Sequence, residues 1–183
     1  MDATPEALRR YTAHDRLLDG RVLLIRAIHP ADKPALQDGF HRLSSESAYF
    51  RFFGPKHELS PQELVYFTEV DFARHVALIA VIEEDPLIVG VGRYIVCEVE
   101  PIRAAEIAFA VDDAHHGLGI ATILLRHLAK IARAADVSEF SASVLASNRK
   151  MLLVFSHSGL PQKRTVESDV VNVRLSLVGP PVA

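Results

Sequence analysis

The sequence predicts one α/β domain built on a mixed sheet, and three observations carry that prediction. Apolar runs of strand length alternate with segments of helical period along the chain. At the centre, from Ala105 to Ala135, a strand, a glycine-containing turn and a long amphipathic helix follow one another. No internal repeat or low-complexity linker interrupts the 183 residues, a length suited to one domain with a real core.

The elements follow in order. Residues 1–20 are polar and read as an arm, residues 21–178 as the domain, and residues 179–183 as a tail. Arg21–Ile28 reads as a buried strand ended by His29 and Pro30. Asp32 is placed to cap a helix running toward Leu43, with Leu36, Phe40 and Leu43 at helical spacing. Ser44–Gly54 carries Tyr49, Phe50, Phe52 and Phe53 around Arg51, too aromatic for an ordinary solvated loop. A helix starts at Ser60, where serine caps, Pro61 takes the first helical position and Glu63 completes a capping box. Val76–Ile82 and Leu87–Val99 read as strands joined by a turn at residues 83–86. A third strand, Ala105–Val111, leads through Asp112–His116 into a helix from Gly117 to about Ala135. Its apolar face is Ala121, Leu124, Leu125, Leu128, Ile131, Ala132 and Ala135, with Arg126, His127, Lys130 and Arg133 opposite. Phe140–Leu145 is a strand, Asn148–Ser158 a short helix stopped by Gly159, and Lys163–Glu167 and Val170–Val178 the last strands.

Composition narrows the function. A net charge of −3 lacks the basic footprint of a nucleic-acid binder, so a polyanionic ligand has to be held by local donors. The single cysteine, Cys97, excludes an internal disulfide and fits a reducing compartment. The start has no basic region leading into an apolar stretch, and the run Val76–Ile82 is too short to span a bilayer. A cytoplasmic protein without membrane association is expected, as a monomer or homodimer.

The central turn is the main chemical signal. At a helix start, outward N–H groups and the helix dipole favour an anion, and Gly117 and Gly119 let a pyrophosphate approach the backbone. Two glycines serving a tight strand-to-helix turn is the plainer reading. A Walker loop would end in Gly-Lys-Ser/Thr, and this helix has no lysine near its start. A dinucleotide fingerprint would want glycine at Thr122 and an opening βαβ unit, yet three consecutive strands lead into the turn. His115 and His116 lack partners at metal-ligand spacing, so no metal is expected.

The stretch Val111-Asp-Asp-Ala-His-His116-Gly-Leu-Gly119-Ile-Ala121 resembles the acetyl-CoA signature of the GNAT N-acetyltransferases, Gln/Arg-x-x-Gly-x-Gly/Ala. Asn148-Arg-Lys-Met151, running on to Ser158-Gly159-Leu160, resembles that family's second cofactor segment. The segments Leu43–Phe53, Phe67–Asp71, Ala105–Val111 and Val144–Met151 are similar to bacterial protein-lysine acetyltransferases of the Pat type. In that group the domain is often fused to an acyl-CoA synthetase-like or cyclic-nucleotide-binding domain, and 183 residues leave room for neither. The resemblance implies the GNAT acyl-CoA N-acyltransferase fold, a central mixed sheet with helices on both faces, and acetyl-CoA as co-substrate. It implies cofactor contacts from Phe109, Ala110 and Val111, from His116, Gly117, Leu118, Gly119, Ile120, Ala121 and Thr122, and from Asn148 and Phe155. Three positions depart from the family pattern. His116 replaces Gln or Arg, Phe155 stands where many members carry a tyrosine acid, and Leu160 replaces a common phenylalanine.

Acetyl transfer to an amine needs a base, because an amine of pKa about 10.4 is almost fully protonated near neutrality. Glu106 is the candidate: on strand periodicity it shares a face with Ala108 and Ala110, opposite the core residues Ile107, Phe109 and Val111. Within an apolar strand its carboxylate is expected to be desolvated toward base strength. Pairing with an arginine is the competing reading, and the Ala-Glu-Ile-Ala-Phe context resembles the strand that holds the family's catalytic glutamate. The Phe109–Val111 backbone would orient the thioester and offer donors to its oxyanion. Phe155 cannot donate a proton and reads as an apolar wall; a thiol of pKa about 8.5 leaves as thiolate without help. Asn148 either caps its helix or touches cofactor. His75 and His157 read as surface or satisfied structural histidines, and Arg51 with its aromatics as a hydrophobic cluster or an acceptor-side wall. The leading function is transfer of acetyl from acetyl-CoA to a protein lysine. The alternatives are a small-amine or amino-acid acetyltransferase and a non-catalytic acyl-CoA-binding module.

Overall fold

A computed structural model describes residues 2–83, 85–99 and 102–179. Glu84 of the expected turn and residues 180–183 of the expected tail lie outside the described residues. Eight strands form one sheet: β1 (Thr12–Arg16), β2 (Val22–Ala27), β3 (His75–Ile82), β4 (Asp85–Val99), β5 (Ile102–Val111), β6 (Glu139–Leu145), β7 (Gln162–Glu167) and β8 (Val170–Ser176). Their spatial order is β1-β2-β3-β4-β5-β6-β8-β7. Neighbours are antiparallel except β5 and β6. A parallel step needs a crossover, and helix α5 (Ile120–Ala134) supplies it. The other helices are α1 (Pro5–Arg9), α2 (Lys33–His41), α3 (Ser45–Phe52), α4 (Pro61–Thr68) and α6 (Arg149–Ser156).

Alternation along β4 and β5 divides the helices between two faces. Gly90, Gly92, Tyr94, Ile107 and Phe109 point to α5, whose Ile120, Leu124, Leu128 and Ile131 are buried against the sheet. A β-carbon at Gly90 would lie 2.6 Å from Ile120 Cγ2, and one at Gly92 3.0 Å from both Leu128 Cδ1 and the Phe109 ring. The two glycines therefore let α5, and the turn at its start, sit close to the sheet. The opposite face carries Val91, Arg93, Ala108 and Ala110 beneath α2, α3 and α4.

The predicted strands and the helices α2, α4, α5 and α6 are present, with ends shifted by a few residues. The capping box at Ser60 forms, with Glu63 N donating to Ser60 Oγ and Ser60 N to Glu63 Oε2 at 2.8 Å. Three readings need correction. Residues 2–20 are not an arm: they hold α1 and β1, and β1 pairs along its length with β2. Tyr11 donates to His127 Nδ1 at 2.5 Å, and His127 Nε2 donates to Asp15 at 2.8 Å, joining this segment to α5. Strand β1 escapes periodicity because its residues, Thr-Ala-His-Asp-Arg, alternate exposed and half-buried at a sheet edge without an apolar face. Residues 45–52 form a helix, capped by Ser44 accepting from Ser47 N and stopped by Phe53 at φ 56°. Asp32 does not cap α2 with its side chain. It accepts from His29 N at 2.7 Å across a preceding 3₁₀ turn and pairs with Arg26 at 2.7 Å.

Candidate active site

Strands β5 and β6 pair over three positions only, Ala104 with Glu139, Ala105 with Phe140 and Glu106 with Ser141. Beyond Glu106 they part. The wedge opens into a cleft of about 900 Å³, bounded by β5 from Glu106 to Val111, the turn before α5, β6 and α6. From Ile107 onward β5 has a sheet neighbour on one side only, so its other edge offers backbone groups to the cleft.

Every predicted site residue lines this cleft except Leu118, whose carbonyl accepts from Leu18 N at 3.3 Å. Glu106 is the last β5 residue paired before the strands separate, and its side chain is exposed. Burial within an apolar strand, expected from the sequence, is therefore absent, because the face it shares with Ala108 and Ala110 borders open space there. Among the described residues no arginine or lysine lies within ion-pair distance of Glu106.

The turn before α5 has the geometry of an anion cradle. Gly117 and Gly119 have φ of +79° and +88°, the left-handed region that glycine enters without strain. The first bond of α5 runs from Ile123 N to Gly119 O, so Ile120, Ala121 and Thr122 keep outward N–H groups with no helical acceptor. His116 does more than keep its backbone in place. Its Nε2 donates to Val111 O at 3.0 Å and its Nδ1 accepts from Lys150 Nζ at 3.1 Å, tying the end of β5 to α6. Asp113 accepts from the Ser44 and Ser47 hydroxyls, both at 2.8 Å, which anchors α3 to the same turn. Burial pushes the Asp113 carboxyl up, but these bonds and the Ser44 N–H outweigh it and hold it below the usual carboxylate range.

Asn148 caps α6, accepting from Met151 N at 3.2 Å, and also borders the cleft. Phe155 is 1% exposed, its ring 6.3 Å from that of Phe109, so the pair forms an apolar wall. Of the two histidines read as structural, His75 accepts from Arg93 Nη1 at 3.0 Å, and burial followed by Arg93 lowers its pKa to about 4. His157 is exposed at the cleft edge. Sequence reasoning missed Gly90 and Gly92, Lys150, and Arg93. The signals were there: two glycines at strand spacing, and a lone arginine in an apolar strand.

The family model for the acetyltransferase (GNAT) family matches residues 41–159. The chain belongs to the GNAT acetyltransferases. It is 33% identical over 139 residues to the acetyltransferase PA5475 of Pseudomonas aeruginosa, covering 75% of this chain and 74% of that one. It is 31% identical to the acetyltransferase Pat of Mycolicibacterium smegmatis over 142 residues, 76% of this chain and 41% of that protein. The crystal structure of the GNAT domain of S. lividans PAT superposes with a TM-score of 0.84 at 36% identity, covering 90% of this chain and 96% of that one. Membership makes this an acetyl-CoA-dependent acyltransferase. The site fits that co-substrate, with a positive-φ glycine turn at a helix start for a pyrophosphate and an open strand edge with an aromatic wall for an extended acyl arm. Among the described residues no three His, Cys, Asp or Glu side chains cluster as metal ligands, and no helix is long and apolar enough to cross a membrane.

Proposed function

We propose that this GNAT enzyme transfers acetyl from acetyl-CoA to a primary amine by direct attack, with Glu106 as base and a protein lysine as acceptor. The observation that carries it is the position of Glu106, at the point where β5 and β6 separate, on the cleft face, beside the small residues Ala108 and Ala110. A carboxylate there meets an incoming ammonium and takes its proton. Bound acetyl-CoA supplies the thioester carbonyl. Gly117, Gly119 and the first N–H groups of α5 hold the pyrophosphate, Lys150 adds positive charge beside them, and the β5 edge from Phe109 to Val111 orients the arm. Phe155 excludes water, and the thiolate departs unprotonated.

Likeness to the PAT domain of S. lividans and to Pat of M. smegmatis supports the protein acceptor, and an open cleft rimmed by the exposed Phe53 and Leu153 is compatible with it. A small amine is the second reading. Incubation of the enzyme with radiolabelled acetyl-CoA and a cell lysate separates them. Label in protein bands supports the lysine acceptor, label only in small molecules replaces it, and no label with intact acetyl-CoA binding removes catalysis.

A further inference from the structure

On the face of β4 and β5 opposite α5, a small cavity of about 60 Å³ lies beneath α2, α3 and α4. It shares Leu43, Arg51, Phe52, Ala108 and Ala110 with the main cleft and is therefore a side pocket of it. Two arginines line it. Arg93 is 5% exposed and stands opposite Ala108 in the β4–β5 register, two positions along the ladder from Glu106 and on the same face as Ala108. Arg51 reaches it from α3.

Both guanidiniums rest against one ring, with Arg93 4.5 Å and Arg51 5.9 Å from the centre of Phe67. Arg93 spends Nη1 on Phe67 O at 3.3 Å and on His75 at 3.0 Å. A guanidinium has five N–H donors, and those on Nε and Nη2 meet no acceptor among the described residues. Arg51 has no hydrogen bond and no ion pair among the described residues. The carboxylate that lines the pocket, Asp112, is committed to Arg42 at 2.8 Å. Burial, then the neighbouring Arg51, pushes Arg93 down to about 9, which leaves it charged at neutral pH.

Glu106 attracts Arg51 through space, but among the described residues no carboxylate bonds to either guanidinium. Two like charges held together at low exposure in this way are costly, and planar forks of this kind match a carboxylate. We infer that Arg51 and Arg93 form an acceptor subsite for a carboxylate, so that the preferred amine carries a carboxylate that reaches the side pocket while the amine lies at Glu106. The inference rests on the acetyl-transfer reading for the amine and on pocket geometry for the carboxylate.

The test compares kcat/KM for matched amines, 6-aminohexanoate against 6-aminohexanamide. It also compares amidated peptides with glutamate against glutamine beside one lysine. Wild type should favour the carboxylate member by about tenfold to a hundredfold, the worth of a charge-assisted pair. Preference within the first pair alone assigns the carboxylate to a small amino acid; preference within the peptides assigns it to an acidic flank. Arg51→Gln and Arg93→Met should collapse the ratio toward unity, mainly through KM, with acetyl-CoA affinity retained. Should Arg93→Met misfold, the more exposed Arg51→Gln carries the test alone. Equal turnover of both members of each pair by wild type overturns the subsite and leaves acetyl transfer standing. Calorimetric binding of 6-aminohexanoate but not its amide, with no transfer to any amine, upholds the subsite and overturns the transfer reading.

Discussion

Glu106 and Arg93 sit two rungs apart on the β4–β5 ladder, with Arg51 reaching in from α3, yet the molecule treats them differently. Glu106 is exposed at the wedge, whereas Arg93 is nearly enclosed and has no carboxylate bonded to it among the described residues. Replacing Glu106 by Gln should lower kcat by about 10²–10⁴, the usual span for a positioned base, while acetyl-CoA binding by calorimetry stays within a factor of about two. Unchanged turnover would remove Glu106 from the mechanism. His75 supports Arg93 from the other side, and its lowered pKa has a pH consequence. The folded state resists protonating His75 down to about pH 4, while an unfolded histidine takes its proton near 6.5. Its contribution to stability is thus complete above about pH 6.5 and is lost as pH falls toward 4. A His75→Gln variant should show a shallower loss of denaturation midpoint than wild type across that interval, and parallel curves would contradict this.

At the scale of elements, the closeness of α5 to β4 decides where the glycine turn sits. Gly90→Ala places a methyl group 2.6 Å from Ile120 Cγ2, so the first turn of α5 has to move. Overpacking of this sort costs about 1–3 kcal/mol. The expected outcome is a lower midpoint in urea together with weaker acetyl-CoA binding, since Ile120 belongs to the helix start that offers the donors. Loss of stability with unchanged affinity would show that the turn is positioned independently of the strand. Gly119→Asp acts on the turn directly, forcing a non-glycine residue to φ +88° and adding negative charge at the anion site. It should weaken acetyl-CoA binding by about a hundredfold or more; calorimetry reads it, and retained affinity refutes the assignment. Lys150 and His116 show what a linear pattern conceals. They lie 34 positions apart, and α5 with β6 brings them within a hydrogen bond.

At the scale of the whole molecule, the parting of β5 from β6 within an eight-stranded sheet opens the candidate site. Seven strand junctions hold the eight strands together, and only the parallel junction opens after three pairs. A ligand filling that wedge touches both halves of the sheet, so it should stabilise the fold by linkage. At a hundred times its Kd, acetyl-CoA should add about 2.7 kcal/mol, raising Tm by roughly 5–10 °C for a domain of this size. Differential scanning calorimetry reads the shift, and Gly119→Asp should abolish it.

The amino-acid order by itself determined the local elements with strong periodicity or caps. The apolar run of β3, the amphipathic α5, the serine–glutamate box of α4 and the asparagine cap of α6 are short-range effects, complete within a few residues of each position. The glycine turn and Glu106 were legible for the same reason, being a helix-start pattern and a charge in an apolar strand. Strand β1 and helix α3 were not, since their burial depends on neighbours far along the chain and leaves no full apolar stripe. Tertiary structure alone decided the wedge between β5 and β6, the exposure of Glu106, the clasp of His116 on Lys150 and the meeting of Arg51 with Arg93. Each joins groups through sheet register and helix packing, and periodicity describes which way a side chain faces without saying what faces it.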